Sequence, residues 1–244
     1  MSQVSPFEIS PDAPQPRAIL YQPAPSVAHA EPAHPVSDLF LCPEPTRDPL
    51  EGIATGLGGI FFLLNVGLYL ELYGDFTVPL APGISLNIWD FIELAGRALD
   101  PLPPESPFNG DPIWPLLVEL AGRPANTPAG AGFEPPRNWT IPTDWLRAVD
   151  LPLVDAPGEA DLFAWLRWLM PYVRARLTSA LRIDDPSRLG QHLLRHRARI
   201  FISPMHVDVV YSLQTHPVEI RCAGLDRDPG WIPAAGRWVT FHFE

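Results

Sequence analysis

Prolines partition this chain before any other pattern can act. A proline fixes its own φ, removes a backbone donor and pushes the preceding residue out of the helical region. There are 32 in 244 residues, against roughly 5% in average usage. Ten of them fall within residues 1–45, in runs such as APQP, QPAP and EPAHP. Such a segment favours extended, polyproline-like chain and cannot build a core. Residues 1–45 are therefore expected to form a Pro-rich extended arm, disordered or wrapped along a partner. Phe7, Ile9, Ile19, Leu20 and Tyr21 are its thinly spaced apolar anchors.

Residues 46–244 read as a single α+β domain, mainly helical over 50–196 and then a small antiparallel sheet over 197–244. A first helix is expected from Ala54 to Tyr73, apolar on nearly every face and so buried on most of them. Gly56, Gly58 and Gly59 at its start suit a close approach by another backbone. Gly74 stands where a C-terminal cap belongs. Further helices are expected over 85–99 (Ser85 as cap), 112–121 (after Asp111) and 159–181. Pro171 should kink or split the last of these. A shorter helix follows from Pro186 to His196. The strands are then 199–203, 207–213, 218–223 and 237–243, the third placing Val218, Ile220 and Cys222 inward.

The charge is uneven. Residues 1–160 hold 6 Arg and 20 Asp plus Glu, a balance of −14, while residues 161–244 hold 11 Arg and 8 acids, a balance of +3. An acidic whole argues against general nucleic-acid binding, although the local arginines can serve a partner with acidic patches. Every basic residue is arginine, which excludes lysine chemistry: no Schiff base, no phosphate-loop lysine, no Ser-Lys dyad. Cys42 and Cys222 form no framework and no CxxC, which suits a reducing, cytoplasmic setting. The N-terminus has neither the basic start nor the apolar run of a signal peptide. Residues 52–70 contain no charge over 19 positions, close to a membrane span. Acidic flanks, Asn65 and the glycines favour a buried helix over a membrane segment.

Few residues stand out as chemistry. His206 and Asp208 lie two apart on a strand and share a face, as a metal-binding or acid/base pair would; the plainer reading is a surface ion pair. Asp226, Arg227, Asp228 and Trp231 form the most distinctive string, DRDPGW. A DxD can bind a divalent cation, but calcium-loop ligands at fixed offsets are missing, so a capped turn with Trp231 over the sheet edge is the plainer reading. The basic run Arg195–Arg199 can touch phosphate, or simply meet a helix C-terminus. No GxSxG, HExxH, GxxxxGK[ST] or GxGxxG occurs. No catalytic, cofactor-binding or metal-ligating residue is therefore assigned, and no cofactor is expected.

Three stretches carry a resemblance: GGIFFLLN at 58–65 running to LYGDF at 72–76, WPLLVELAGR at 114–123, and AGLDRDPGWIP at 223–233 ending in GRWVTFHF at 236–243. Together they resemble an uncharacterised bacterial protein family encoded beside phage-tail-like contractile injection systems. The resemblance covers about residues 50–244 and brings no active site with it. It implies a non-enzymatic structural or assembly accessory protein with particle components as protein partners. Two alternatives stay open. One is a small cytosolic metal-dependent enzyme using His206 and Asp208. The other is a membrane-associated component through residues 52–70.

Overall fold

The computed structural model describes residues 51–73, 83–136, 139–147, 149, 151–152 and 161–244. The expected arm over 1–45, the Gly74 cap and most of the loop over 150–158 lie outside the described residues. Among those described are seven α-helices and a five-stranded sheet, an α+β architecture.

The expected first helix is shorter than its apolar run. Its leading residues form a strand, β1 (Ile53–Thr55), followed by a 3-10 turn over Gly58–Phe61 and α1 (Phe62–Tyr69). Among the described residues, no helix is long and apolar enough to cross a membrane. The three glycines at 56–59 explain the break. Gly58 N–H donates to the His196 carbonyl at 2.7 Å, and a Cβ on Gly59 would lie 2.0 Å from the Leu193 carbonyl oxygen. Only a bare backbone fits there, so the chain threads closely past the segment 193–196 before it can coil.

The remaining helices follow their apolar periodicity. They are α2 (Ile88–Leu99), α3 (Ile113–Leu120), α4 (Thr143–Leu146), α5 (Leu162–Ala180) and α6 (Leu189–Leu194). Asn87, not Ser85, caps α2, its side chain accepting from the Trp89 amide. Asp111 accepts from Ile113 N–H at the start of α3, and Asp161 from Ala164 N–H at the start of α5. Helix α5 runs unbroken through Pro171, which faces solvent. It ends with Arg182 at φ 53°, the left-handed position that closes a helix by bonds from Arg182 N–H to Ser179 and from Ile183 N–H to Thr178.

The sheet adds β2 (Ala198–Ile202), β3 (His206–Tyr211), β4 (Gly230–Ile232) and β5 (Arg237–Phe243), in the order β1-β2-β3-β5-β4. It is mixed, not antiparallel throughout: β3 and β5 run parallel, with Val209 opposite Phe241. A parallel pair needs a crossover, and the segment 212–229 supplies one. There the expected strand 218–223 is instead a helix, α7 (Val218–Cys222). Pro217 opens it, and Gly224 closes it at φ 70°, a conformation that favours glycine. Only Ile220 of its three apolar positions is buried; Val218 and Cys222 are exposed.

One face of the sheet is core. Ile200, Val207, Val209, Tyr211 and Val239 are almost fully buried, with β2 and β3 touching the turn over Gly58–Phe61. The Phe62 ring stacks on Tyr211 at 5.0 Å and meets Phe241 edge-on at 5.7 Å. Each fully buried large apolar side chain contributes about 1.5–3 kcal/mol. The helices α2, α5 and α6 pack behind α1 and complete a single hydrophobic core.

The other face of the sheet is arranged in three cross-strand rows fixed by the register. Ala54, Arg199, Val210 and His242 align in the first. Phe201, Asp208 and Thr240 align in the second, and His206, Trp238 and Trp231 in the third.

Candidate functional site

The DRDPGW string is anchored from beneath by a buried amide. Asn65, 3% exposed on α1, donates through Nδ2 to the carbonyls of Leu225 and Arg227, both at 2.8 Å. Tyr69, one turn later, donates to Gly224 at 2.9 Å. The polar residue that interrupts the apolar run thus holds the crossover loop in place.

The two aspartates of the string are then used separately. The Asp226 carboxylate is buried and binds His216 Nε2 at 3.1 Å and Arg221 Nε at 2.9 Å. Asp228 points to the sheet, where it accepts from Phe241 N–H at 2.6 Å. Phe241 belongs to β5, so Asp228 occupies a backbone donor where β4 stops short. Arg227 is exposed. The string is a structural turn, but its bonds reach across the fold and are not confined to its own amides.

His216 sits among rings: Phe243 at 4.7 Å, Phe62 at 5.9 Å and His196 at 6.5 Å. His196 is largely buried here, its Nε2 2.8 Å from the His192 carbonyl. Burial pushes its imidazole below the ordinary value of 6.5, and the neighbouring His216 and His192 act the same way. Burial raises the Tyr211 hydroxyl well above its usual range, with Asp226 adding to it. That hydroxyl donates to the Gly58 carbonyl at 3.0 Å.

On the outer face, His206 and Asp208 do not pair. Asp208 meets His242 Nε2 at 2.9 Å, diagonally across β3 and β5, with both groups partly exposed. Among the described residues no three His, Cys, Asp or Glu side chains group so as to hold a metal ion. His206, Asp208, Asp226 and Asp228 therefore do not converge on one site.

What the geometry does bring together is an aromatic pair. Trp231 on β4 stands opposite Trp238 on β5, ring centroids 6.1 Å apart, and the two are 38% and 47% exposed. Met205, 51% exposed, is held beside them, because Trp238 N–H donates to its carbonyl at 2.8 Å. Trp238 was not singled out by the sequence reading; its alternation with buried Val239 and Phe241 carried the signal. The basic run also divides. Arg195 forms a two-pronged pair with Asp100 at 2.8 and 3.0 Å, whereas Arg197 and Arg199 are exposed toward the outer face.

A separate cleft of about 570 Å³ lies between the end of α5, α6 and α7, lined in part by Arg182, Asp184, His192, Glu219 and Cys222. Its charges are of both signs. The chain matches no protein-family model, no curated protein and no solved structure.

Proposed function

We propose that this chain is a non-enzymatic structural or assembly component that works by binding another protein through the outer face of its sheet. The observation that carries the reading is the solvent-exposed Trp231–Trp238 pair with Met205 beside it. Large aromatic side chains are enriched at protein interfaces and dominate their energetics. Leaving two tryptophans and a methionine together in water costs apolar burial that the core of this fold takes up elsewhere. The polar residues of the crossover are committed to holding the sheet in shape, as Asn65 and Asp228 are. The resemblance names the assembly: a phage-tail-like contractile particle, with the chain as an accessory of its structure or construction.

The test is co-purification. The tagged full chain is incubated with sheath, tube, baseplate and cap components, and retained components are identified. Retention of one of them, lost in Trp231→Ser/Trp238→Ser with the fold intact, supports the reading. Retention of none rejects it.

A further inference from the structure

The three-row face carries more than its aromatic corner. The first row, which holds Arg199, lies two rows from the tryptophans, and Arg197 lies one row farther out. Rows two residues apart along a strand are separated by about 6.7 Å and neighbouring strands by about 4.8 Å. Arg199, two rows and two strands away, therefore stands about 16 Å from Trp238, and Arg197 about 22 Å. At the arginine end the surface is concave. Ala54–Gly56 on one side and Val210–Ser212 on the other bound a groove of about 700 Å³, within the range of ligand-sized clefts.

The charge of this face departs from that of the chain. Among the described residues, neither Arg197 nor Arg199 meets a carboxylate within ion-pair distance. Asp208 is hydrogen-bonded to His242 outside the groove, and Glu244 is the acid that lines it. Residues 1–160 meanwhile carry 20 acids against 6 arginines. A cationic strip on an otherwise acidic protein selects its partner by complementarity.

We infer that the outer face binds an extended acidic segment of a protein partner, with carboxylates on Arg197 and Arg199 and an apolar residue on Trp231–Trp238. In extended chain these separations correspond to about five to seven residues. Nucleic acid fits less well. Two arginines neutralise few of the closely spaced phosphates of a nucleic-acid strand. This inference rests on the proposed function and names the chemistry of its partner.

The probe is a labelled peptide of about twelve residues, with two aspartates about five and seven residues from a Leu-Pro pair. It is titrated against the full chain by fluorescence anisotropy at about 50 and about 500 mM NaCl. The expected result is binding tighter than about 100 μM at low salt. An Asn-for-Asp peptide and the Arg197→Glu/Arg199→Glu variant should each weaken it by about tenfold or more. A Lys-for-Asp peptide should recover binding to that variant. Circular dichroism confirms the variant's fold, and Arg197→Gln/Arg199→Gln serves in its place if it fails to fold.

Three results would overturn the inference: no binding at about 1 mM, equal binding of the charged and neutral peptides, or tighter binding of a poly-dT oligonucleotide than of the peptide. The co-purification assay keeps the two levels apart. If the arginine variant retains the particle component as well as wild type does, the inference fails and the proposed function stands. If wild type retains none, the proposed function itself fails.

Discussion

Asn65 Nδ2 donates to the Arg227 carbonyl at 2.8 Å, joining residues 162 positions apart in sequence. The same nitrogen serves the Leu225 carbonyl. One buried amide on the first helix therefore fixes the crossover loop that delivers β4, and with it Trp231, to the sheet. Asn65→Leu keeps the volume but leaves two carbonyls without their donor. The expected loss is about 2–4 kcal/mol of unfolding free energy, read by urea denaturation. A change under about 0.5 kcal/mol would show that the loop is held by other contacts.

Asp111 plays a similar part at the opposite edge of the sheet. Its carboxylate accepts from Thr55 Oγ1 at 2.5 Å, Gly56 N–H at 2.8 Å and Ile113 N–H at 2.9 Å. It thereby ties β1 to the start of α3 while 8% exposed. Asp111→Ala is expected to cost about 2–4 kcal/mol. Hydrogen exchange should show the loss concentrated at the β1 amides.

The two glycine environments make opposite predictions. At Gly59 an added Cβ would lie 2.0 Å from a carbonyl oxygen, and at Gly190 it would lie 2.4 Å from that of Leu99. Gly59→Ala and Gly190→Ala should each destabilise by about 3 kcal/mol or more, or prevent folding. At Gly110 nothing lies within 4 Å, and Gly110→Ala should be neutral or slightly stabilising. Thermal melts of the three variants check the ordering.

These close approaches also show what was legible in the sequence. The glycine cluster at 56–59 announced a backbone contact, and long apolar periodicity announced α2, α3 and α5. Short elements escaped. Five residues of α7 span little more than one helical turn, so Val218, Ile220 and Cys222 read equally well as an alternating strand. Pro217 before it and Gly224 after it were the local signs against a strand. β1 and β4 have three residues each, too few for alternation to register. The parallel pairing of β3 with β5 is a property of the crossover, which no local pattern encodes. The same limit applied to the site. His206 and Asp208 were recognised as sharing a face, but the partner of Asp208 is His242, 34 positions on, and only register could reveal it. Trp231 was visible as the end of a turn string; its pairing with Trp238 was not.

Burial of His196 gives a pH dependence with a definite sign. Its folded-state pKa lies below the ordinary 6.5 because burial disfavours the charged ring, so folding favours the neutral form. The stability associated with the neutral ring is fully present above the unfolded value. It is lost as pH falls from about 6.5 through the folded value. Relative to His196→Gln, wild type should lose stability between about pH 7 and 5, measured as the difference in urea midpoint across that range. Parallel pH profiles for the two proteins would contradict the assignment.

Site-specific photo-crosslinking tests the central claim most directly. A benzophenone amino acid replaces Trp238 on the outer sheet face, and in a second protein Phe163, 65% exposed on α5. Both are irradiated with the particle components present. The account requires a crosslink to a particle component from position 238 and none from 163. Crosslinks from 163 alone, or from neither position, would contradict a docking role for the sheet face.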